Sequence, residues 1–478
     1  MADFAMTIDG SAVDGGEGFG VINPPTARVF ARAPACSPEQ LDRAMAAAAR
    51  AYSIWSRADG VRRAVLREAA TTVLAAAGEL AALLTAEQGK PRAEAAAEVR
   101  AAGAWLRYYA DLELPRERVG GDRRDAVEVL HRPLGVVAAI TAWTAPIALA
   151  ARLIAPALRA GNTVVLKPSP HTPLATLVLG QVLAEVLPPG VLNVVSGPDP
   201  LGARLVGHRT PRAVGFTGAR ATGRQVAAAA AADLRPTTLE LGSNDPAIVL
   251  DDADPEEIAD ALFWGAFTNN GQACTAIKRV YVAQPRYQAV LAALAERAGT
   301  VRVGNGNHRA SQLGPVGTLA RFERVGDLVR DALAHGAVAV AGGAALNRPG
   351  YFFAPTILAG ASDGMRVVDE EQLGPVLPVI GYRDLDEAVR RANGARSGLG
   401  ASVWSADEDR AAAVAGRLVA ARVSVNSHPG VLGPGLPAGD RVIGRCGLCG
   451  YTARQLLIRP SGASRPGVGN TEGAAGTR

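Results

Sequence analysis

Residues 135–167 read GVVAAITAWTAPIALAARLIAPALRAGNTVVLK, and this stretch decides the fold class. It opens with a short apolar run, continues as a helical segment over 147–160 that stops at Gly161, and ends in a second apolar run at 163–166. A strand, a helix and a strand in so short a cycle predict parallel strands joined by a right-handed crossover. The sequence therefore predicts an α/β protein with a parallel sheet.

The alternation continues on both sides of this stretch. The nucleotide site of such a sheet lies beyond the carboxyl ends of its strands. We predict helices over 38–110 and a second α/β unit after residue 241. The other predicted strands are 191–195, 213–216, 237–241, 247–250, 279–282, 337–340, 376–380 and 401–404, and the other predicted helices are 173–187, 201–206, 221–232, 255–268, 286–298 and 320–334.

Composition excludes several classes of protein. The 478 residues are 48% hydrophobic and 20% charged, which is too apolar for a disordered chain. A net charge of +5 over 478 residues is too small an excess of basic residues to predict a nucleic-acid or membrane partner. Four cysteines in so long a chain do not make a disulfide scaffold, and the amino terminus shows no signal-peptide pattern. We expect a cytoplasmic protein.

Two segments carry candidate chemistry. The segment FTNNGQACT (267–275) places Cys274 where backbone amides can converge, and a following helix would lower the pKa of its thiol. A lone cysteine is more commonly a small buried residue. The segment LELG (239–242) places Glu240 in an apolar strand end, where a carboxylate either pairs structurally or acquires a raised pKa suited to base chemistry.

An ordered set of motifs resembles the aldehyde dehydrogenase superfamily along nearly the whole chain. ELGS (240–243) resembles the Glu-Leu-Gly-Gly motif of the family, and GQAC (271–274) matches its Gly-Gln-x-Cys motif. Cys274 follows Glu240 by 34 positions, as the family pattern requires. TAEQGKP (85–91), EEQLGPV (370–376), Asn393 with GLGA (398–401), and YT (451–452) follow the family order. Each motif alone is weak evidence for the family, whereas the set of motifs in this order is specific to it.

The resemblance implies NAD(P)-dependent oxidation of a small-molecule aldehyde to a carboxylic acid. Cys274 would attack the carbonyl to form a thiohemiacetal, and Glu240 would activate water against the resulting thioester. Lys167 resembles the lysine that holds the adenosine ribose, and Glu371 the carboxylate on the nicotinamide ribose. The other cofactor residues predicted by the resemblance are Trp143, Ser169, Gly218, Gly223, Leu241 and Leu373.

Three departures from the family pattern have chemical consequences. Pro170 stands where NAD-preferring members carry a glutamate, so the cofactor is NAD or NADP. Thr144 stands where the family places an oxyanion-binding asparagine, which predicts a slow enzyme or a substrate with its own polar group. The loop PAGDRVIGR (437–445) lacks the family's aromatic residue and lysine.

Two smaller features have structural explanations. Cys446 and Cys449 form a Cys-x-x-Cys pair, but the histidines show no complementary spacing, so we favour structural thiols and predict no metal. His428 falls where the family lines its substrate tunnel, and such a histidine is more often hydrogen-bonded within a loop.

The resemblance also predicts the domain organisation: a Rossmann-type cofactor domain, an α/β catalytic domain and a small β arm that forms a homodimer or homotetramer. The cofactor domain would comprise 1–117 and 135–241, the catalytic domain 242–440, the arm 118–134 and 441–460, and a flexible tail 461–478.

Two alternatives remain open. One is a family-derived biosynthetic enzyme with redox-neutral or acyl-transfer cysteine chemistry, suggested by Thr144 and the altered loop. The other is a non-catalytic nucleotide-binding homologue. Glu240 argues against the first alternative, because acyl-transferring relatives typically lack the glutamate base, and Cys274 together with Glu240 argues against the second.

Overall fold

The computed structural model describes residues 4–120, 125–394, 398–428 and 444–460. The predicted tail (461–478) and residues 437–443 of the altered loop lie outside the described residues. The α-helices are α1 (Pro38–Trp55), α2 (Asp59–Ala75), α3 (Ala77–Gln88), α4 (Arg92–Asp111), α5 (Pro146–Ala160), α6 (Leu174–Ala184), α7 (Leu201–Gly207), α8 (Arg220–Ala231), α9 (Pro255–Phe267), α10 (Tyr287–Thr300), α11 (Leu319–Ala334), α12 (Arg366–Asp369), α13 (Leu385–Asn393), α14 (Glu408–Ala415) and α15 (Gly444–Cys449).

The strands form two large sheets and two small ones. They are β1 (Met6–Ile8), β2 (Ser11–Val13), β3 (Phe19–Asn23), β4 (Arg28–Ala33), β5 (Glu117–Gly120), β6 (Asp125–Pro133), β7 (Val136–Ile140), β8 (Thr163–Lys167), β9 (Leu192–Val194), β10 (Ala213–Gly218), β11 (Thr237–Leu241), β12 (Asp245–Val249), β13 (Ile277–Ala283), β14 (Val338–Ala341), β15 (Thr356–Ala359), β16 (Val376–Tyr382), β17 (Gly400–Trp404), β18 (Arg422–Val425) and β19 (Thr452–Pro460).

The first large sheet has the order β11-β10-β7-β8-β9-β1-β2. Strands β7 to β11 are parallel, as the sequence predicts. The chain runs from β7 outward to β8 and β9, and then returns to β10 and β11 on the other side of β7. The strand order therefore reverses between β7 and β10, and such a switch point opens a crevice at the carboxyl ends of the strands.

The second large sheet has the order β14-β15-β16-β13-β12-β17-β18. It is parallel except for β14, which runs antiparallel at the edge. A third sheet has the order β19-β6-β5. Strand β19 follows the last strand of the second sheet in the chain, β5 and β6 precede β7, and all nine residues of β19 pair with β6.

Helix α5 links the sequence pattern most directly to the site. All of its residues are buried, including Arg152 and Arg159. It ends at Gly161, whose φ of 101° belongs to the left-handed region that glycine adopts without strain. Because α5 follows β7 directly, the fold fixes the loop between them at the switch point.

The sequence prediction omitted the strands nearest the amino terminus. β1 and β2 extend the first sheet in antiparallel fashion, and β3 and β4 form a hairpin of their own. These strands are short or half-exposed, so their hydrophobic pattern is weak.

In the described residues, no single helix has the length and apolar character needed to cross a membrane. One pair bent by 65°, Asp59–Ala75 with Ala77–Gln88, reaches that length and apolarity in combination.

Candidate active site

A cleft of about 680 Å³ opens at the switch point of the first sheet. Its walls come from the carboxyl ends of β7, β8, β10 and β11, and from loops of the second half of the chain. Ten of the eleven predicted site residues line it: Thr144, Trp143, Lys167, Ser169, Gly218, Glu240, Leu241, Cys274, Glu371 and Leu373.

Gly223 is the predicted site residue that does not line the cleft. It lies in α8, and a Cβ on it would meet Leu241 Cδ2 at 2.3 Å. The absence of a side chain therefore lets α8 approach the end of β11. Gly223 shapes the cleft through packing, whereas Gly218 borders it directly.

Lys167 ends β8 with its side chain buried in the cleft wall. Its Nζ donates to the carbonyl of Pro168 at 3.1 Å. Burial lowers the pKa of the ammonium to about 8, and the carboxylate of Asp199 opposes that shift. Ser169 and Pro170 border the cleft next to it, so position 170 offers no carboxylate there.

Glu371 lies on the other side of the cleft. Its Oε1 accepts from the backbone N–H of Ser243 at 3.2 Å, and burial raises the pKa of its carboxyl. A Cβ at Gly242 would lie 2.1 Å from Glu371 Oε2, so glycine is needed there for this close approach. Leu373, two residues later, has a left-handed φ of 46°, which is uncommon for a branched residue.

Cys274 and Glu240 reach the same cleft from different elements. Glu240 is the fourth residue of β11, and Cys274 lies in the loop between a short 3₁₀ turn (Thr268–Gly271) and β13. Both side chains line the cavity wall. Their meeting brings together two groups that are 34 positions apart in the sequence.

The environment of Cys274 differs from the sequence prediction. No helix follows it, because β13 begins at Ile277. Burial and, to a smaller extent, the Glu240 carboxylate raise the pKa of the Cys274 thiol to about 12, while Arg152 opposes the effect. The expectation of a thiol pKa lowered by a helix terminus is therefore wrong for this structure.

The loop that carries Cys274 has an unusual backbone. Asn269, Asn270 and Gly271 have successive left-handed φ values of 53°, 57° and 71°. A Cβ at Gly271 would lie 2.2 Å from the carbonyl oxygen of Gly374. Lys278 Nζ also donates to the Gly271 carbonyl. Tight packing fixes the loop, and with it the position of the thiol.

A buried polar network holds the loop of Thr144. The Thr144 carbonyl accepts from Lys90 Nζ at 3.0 Å and from Asn269 Nδ2 at 2.8 Å. Lys90 also pairs with Glu98. Glu98 in turn accepts from the backbone N–H of Ile147 at the start of α5. The network thus links the loops of Thr144 and Cys274.

Sequence reasoning missed the roles of Lys90, Glu98 and Asn269. It recognised TAEQGKP (85–91) only as part of a resemblance. The Asn-Asn-Gly run at 269–271 carries a usable signal, because asparagine and glycine tolerate left-handed backbone better than other residues. Glu98 gives no such signal, since it sits in an ordinary helical pattern.

His428 is hydrogen-bonded within its loop, in agreement with the interpretation favoured from the sequence. Its Nδ1 lies 3.0 Å from Ser402 Oγ and its Nε2 2.8 Å from the Thr275 carbonyl. Burial lowers its pKa to about 4, so the ring is neutral at neutral pH.

In the described residues no group of three or more His, Cys, Asp or Glu side chains could hold a metal ion. The side chain of Cys446 lies outside the described residues, so the structural role predicted for Cys446 and Cys449 stays a prediction.

A cleft at the switch point of a doubly wound sheet, with a buried lysine and a buried glutamate on its walls, defines a dinucleotide-dependent enzyme. The model of the aldehyde dehydrogenase family matches residues 12–439. The chain belongs to the aldehyde dehydrogenase family.

Relatives and solved structures agree with this assignment. The chain is 39% identical to a betaine aldehyde dehydrogenase of Cereibacter sphaeroides over 415 residues, or 85% of each protein. It is 38% identical to the geranial dehydrogenase of Castellaniella defragrans over 420 residues, or 85% of this chain and 87% of that one. An NAD⁺ complex of a Bacillus cereus aldehyde dehydrogenase superposes with a TM-score of 0.92 at 31% identity, covering 96% and 97% of the two chains.

These findings confirm the predicted family, the α/β fold class and an oxidoreductase that uses NAD or NADP to oxidise an aldehyde. A 3,6-anhydro-L-galactose dehydrogenase in complex with NAP is also similar, with a TM-score of 0.90 at 32% identity and coverage of 95% and 99%. Both cofactors therefore occur among the structural neighbours.

Proposed function

We propose that Cys274 is the nucleophile and Glu240 the general base of this aldehyde dehydrogenase. The observation that carries the proposal is their convergence on one cleft from β11 and from the loop before β13. A thiol and a carboxylate so placed can serve two successive steps, acylation and hydrolysis.

In the first step, Cys274 Sγ releases its proton to solvent and bonds to the aldehyde carbon, which leaves an oxyanion on the carbonyl oxygen. NAD(P)⁺ held in the cleft would supply the acceptor for the hydride that leaves this carbon, so that the carbonyl forms again. The acyl group is then bonded to Cys274 Sγ as a thioester. Glu240 takes a proton from water as the water oxygen attacks the thioester carbon, the carbon–sulfur bond breaks, and the carboxylic acid leaves as Cys274 recovers its proton.

The backbone N–H of Cys274 and the Thr144 hydroxyl are proposed to stabilise the oxyanion that forms on the carbonyl oxygen. A threonine hydroxyl is a shorter donor than an asparagine amide, and each such donor contributes about 10²–10³ in rate. The contacts of Lys90 and Asn269 with the Thr144 carbonyl support this role, because they fix the loop that presents the hydroxyl.

The cleft fits a dinucleotide. A buried lysine that ends β8 can bind the adenosine ribose, and the position of Glu371 on the cleft wall, close to Gly242, supports its carboxylate as the contact to the nicotinamide ribose. We assign the phosphate-side wall to Gly218 and α8, with Gly223 allowing α8 its position. Trp143, Ser169, Leu241 and Leu373 are the remaining proposed cofactor contacts.

Catalysis is tested with both cofactors and a panel of aliphatic, aromatic and amino aldehydes. The named substrates of two relatives, betaine aldehyde and geranial, belong in the panel because one is cationic and the other apolar. Carboxylic acid should appear in step with reduced cofactor, without coenzyme A. Cys274→Ser should abolish turnover, whereas reduced cofactor formed only with coenzyme A would favour acyl transfer instead.

Cofactor preference is tested at position 170. Pro170→Glu should lower kcat/KM for NADP relative to NAD by about tenfold, equivalent to about 1.4 kcal/mol, because a carboxylate accepts ribose hydroxyls and repels a 2′-phosphate. Pro170→Gln is the uncharged control. An unchanged ratio of the two kcat/KM values would contradict the proposed place of the adenosine ribose.

We further propose a cytoplasmic homodimer or homotetramer, with cofactor, catalytic and arm domains bounded as the sequence predicts. The three-stranded sheet β19-β6-β5 supports an oligomerisation arm, because Leu456 and Ile458 on β19 are each 63% exposed. Light scattering after size exclusion tests the assembly, and a monomer at micromolar concentration would overturn it.

A further inference from the structure

An arginine in the centre of α5 pairs with the proposed general base. Arg152 Nε lies 2.9 Å from Glu240 Oε1, and only 6% and 5% of the two side chains are exposed. Glu240 lines the cleft, but Arg152 is not among the residues that do. The guanidinium therefore sits behind the carboxylate, on the side away from the substrate space.

Aromatic side chains limit the movement of this guanidinium. Its Cζ lies 6.0 Å from the ring centroid of Trp105 on α4, and the Tyr109 ring stacks on Trp105 with centroids 5.9 Å apart. Trp105 and Tyr109 are essentially fully buried, and Tyr451 is buried close to Glu240. In so dry a setting an ionised carboxylate needs a fixed positive partner.

We propose that Arg152 is a positioning residue that holds the Glu240 carboxylate in place for hydrolysis of the thioester. The inference rests on the proposed function, since it requires Glu240 to be the base. Helix α5 then has two tasks: its amino terminus follows the Thr144 loop, and its centre fixes the base. Arg152 itself touches neither substrate nor cofactor in this account.

The proposal concerns only one of the two chemical steps. Cys274 bonds to the aldehyde and hydride departs before water is activated, so a displaced Glu240 leaves acylation intact. Hydrolysis suffers because misplacement of a reacting group by about 1 Å can cost about 10²-fold in rate. Loss of Arg152 should therefore lower kcat and let the thioester accumulate.

The same helix supplies a matched control. Arg159 lies two turns further along α5, is 1% exposed, and pairs with Asp59 Oδ1 at 2.6 Å. Its Nε donates to the Leu112 carbonyl. Methionine at either position removes a buried guanidinium and its ion pair, but only Arg152 faces the proposed base.

The experiment compares Arg152→Met, Arg152→Lys, Arg159→Met and Glu240→Gln with the wild-type enzyme. Each is given the best aldehyde of the panel and its cofactor, kcat is measured, and acylation of Cys274 at steady state is read from the mass of acid-quenched enzyme. Arg152→Met should lose about 10²-fold in kcat and accumulate acyl-enzyme. Arg152→Lys should recover part of kcat, and Arg159→Met should keep kcat within about threefold.

The outcomes distinguish the positioning role of Arg152 from the general-base role of Glu240. If Glu240→Gln accumulates acyl-enzyme but Arg152→Met does not, the positioning role is wrong and the base stands. If Glu240→Gln itself hydrolyses the thioester at the wild-type rate, the proposed function fails. Should Arg152→Met not fold, Arg152→Lys is compared with Arg159→Lys, and equal kcat values for those two variants would overturn the positioning role.

Discussion

Burial governs the chemistry of the Cys274 sulfur. The half-buried thiol lines the cleft near the Glu240 carboxylate, and its pKa is raised to about 12, mainly by burial. Only the thiolate is nucleophilic, and a pKa that high leaves the group protonated at neutral pH. Formation of the thiolate is therefore expected to limit reactions of Cys274 with reagents in the absence of substrate and cofactor.

Alkylation by iodoacetamide tests this expectation. Because the pKa is raised, the thiolate fraction grows with pH, and the rate at Cys274 should rise about tenfold per unit between pH 7 and 9. Peptide mass analysis assigns the label, with Cys36 as an internal comparison because burial also raises its pKa to about 12. A rate that is already constant by pH 8 would show a thiol of low pKa and contradict this account.

The Thr144 side chain sets the expected rate of the enzyme. Thr144→Asn should raise kcat by about tenfold or more, because an amide reaches further toward the developing oxyanion than a hydroxyl does. Thr144→Val, similar in shape but without a donor, should lower kcat. Unchanged or lower turnover in Thr144→Asn would remove Thr144 from the oxyanion site.

At the scale of residues, the sequence predicted which groups meet but not what surrounds them. The spacing and motif order of Glu240 and Cys274 imply a shared site, and both line the cleft. Arg152 gave no functional signal, because a single arginine in an apolar helix only shows that the segment does not span a membrane. Its partner lies 88 positions away, and pairing at that distance is decided by the tertiary fold.

At the scale of elements, α5 depends on a buried charge at its amino terminus. Glu98 of α4 accepts from Ile147 N at 2.9 Å and from Ala148 N at 3.3 Å, and it pairs with Lys90. Carboxylates stabilise helix amino termini because the first N–H groups have no partner within the helix. The same carboxylate therefore supports both α5 and the lysine that binds the Thr144 carbonyl.

Glu98→Ala should lower the free energy of unfolding by about 3–5 kcal/mol, because it leaves Lys90 as a buried charge without its carboxylate. Urea unfolding followed by circular dichroism measures the change. The exposed Glu79 on α3 provides a control, and Glu79→Ala should stay within about 0.5 kcal/mol of the wild type. A Glu98→Ala loss as small as the control's would show that the network contributes little stability.

Element prediction succeeded where periodicity was strong. The run at 135–167 folds as β7, α5 and β8 within one residue of the predicted bounds. After Cys274, IKRVYVA forms the fully buried β13, which contains the strand predicted at 279–282, and the helix expected to follow the cysteine is replaced by this strand. A short apolar run is compatible with a helix or a strand, and here pairing with β12 and β16 stabilises the strand.

At the scale of the whole molecule, both halves of the chain contribute residues to one cleft, and the proposed catalysis requires both. The first sheet supplies Glu240 and Lys167, and the segments of the second unit supply Cys274 and Glu371. The family resemblance covered this arrangement because its motifs are spread over both halves of the chain. Those motifs do not determine which aldehyde is oxidised, and the loop at 437–445 departs from the family pattern.

The most direct test of the shared site is the mass of the Glu240→Gln enzyme after one turnover with aldehyde and cofactor. The account predicts an adduct equal to the aldehyde less two hydrogen atoms, mapped to the peptide that contains Cys274, and persisting while the wild-type adduct is hydrolysed. Reduced cofactor should equal the adduct in amount. An adduct on another residue, or a Glu240→Gln enzyme that releases acid as fast as the wild type, would contradict the pairing of Cys274 and Glu240.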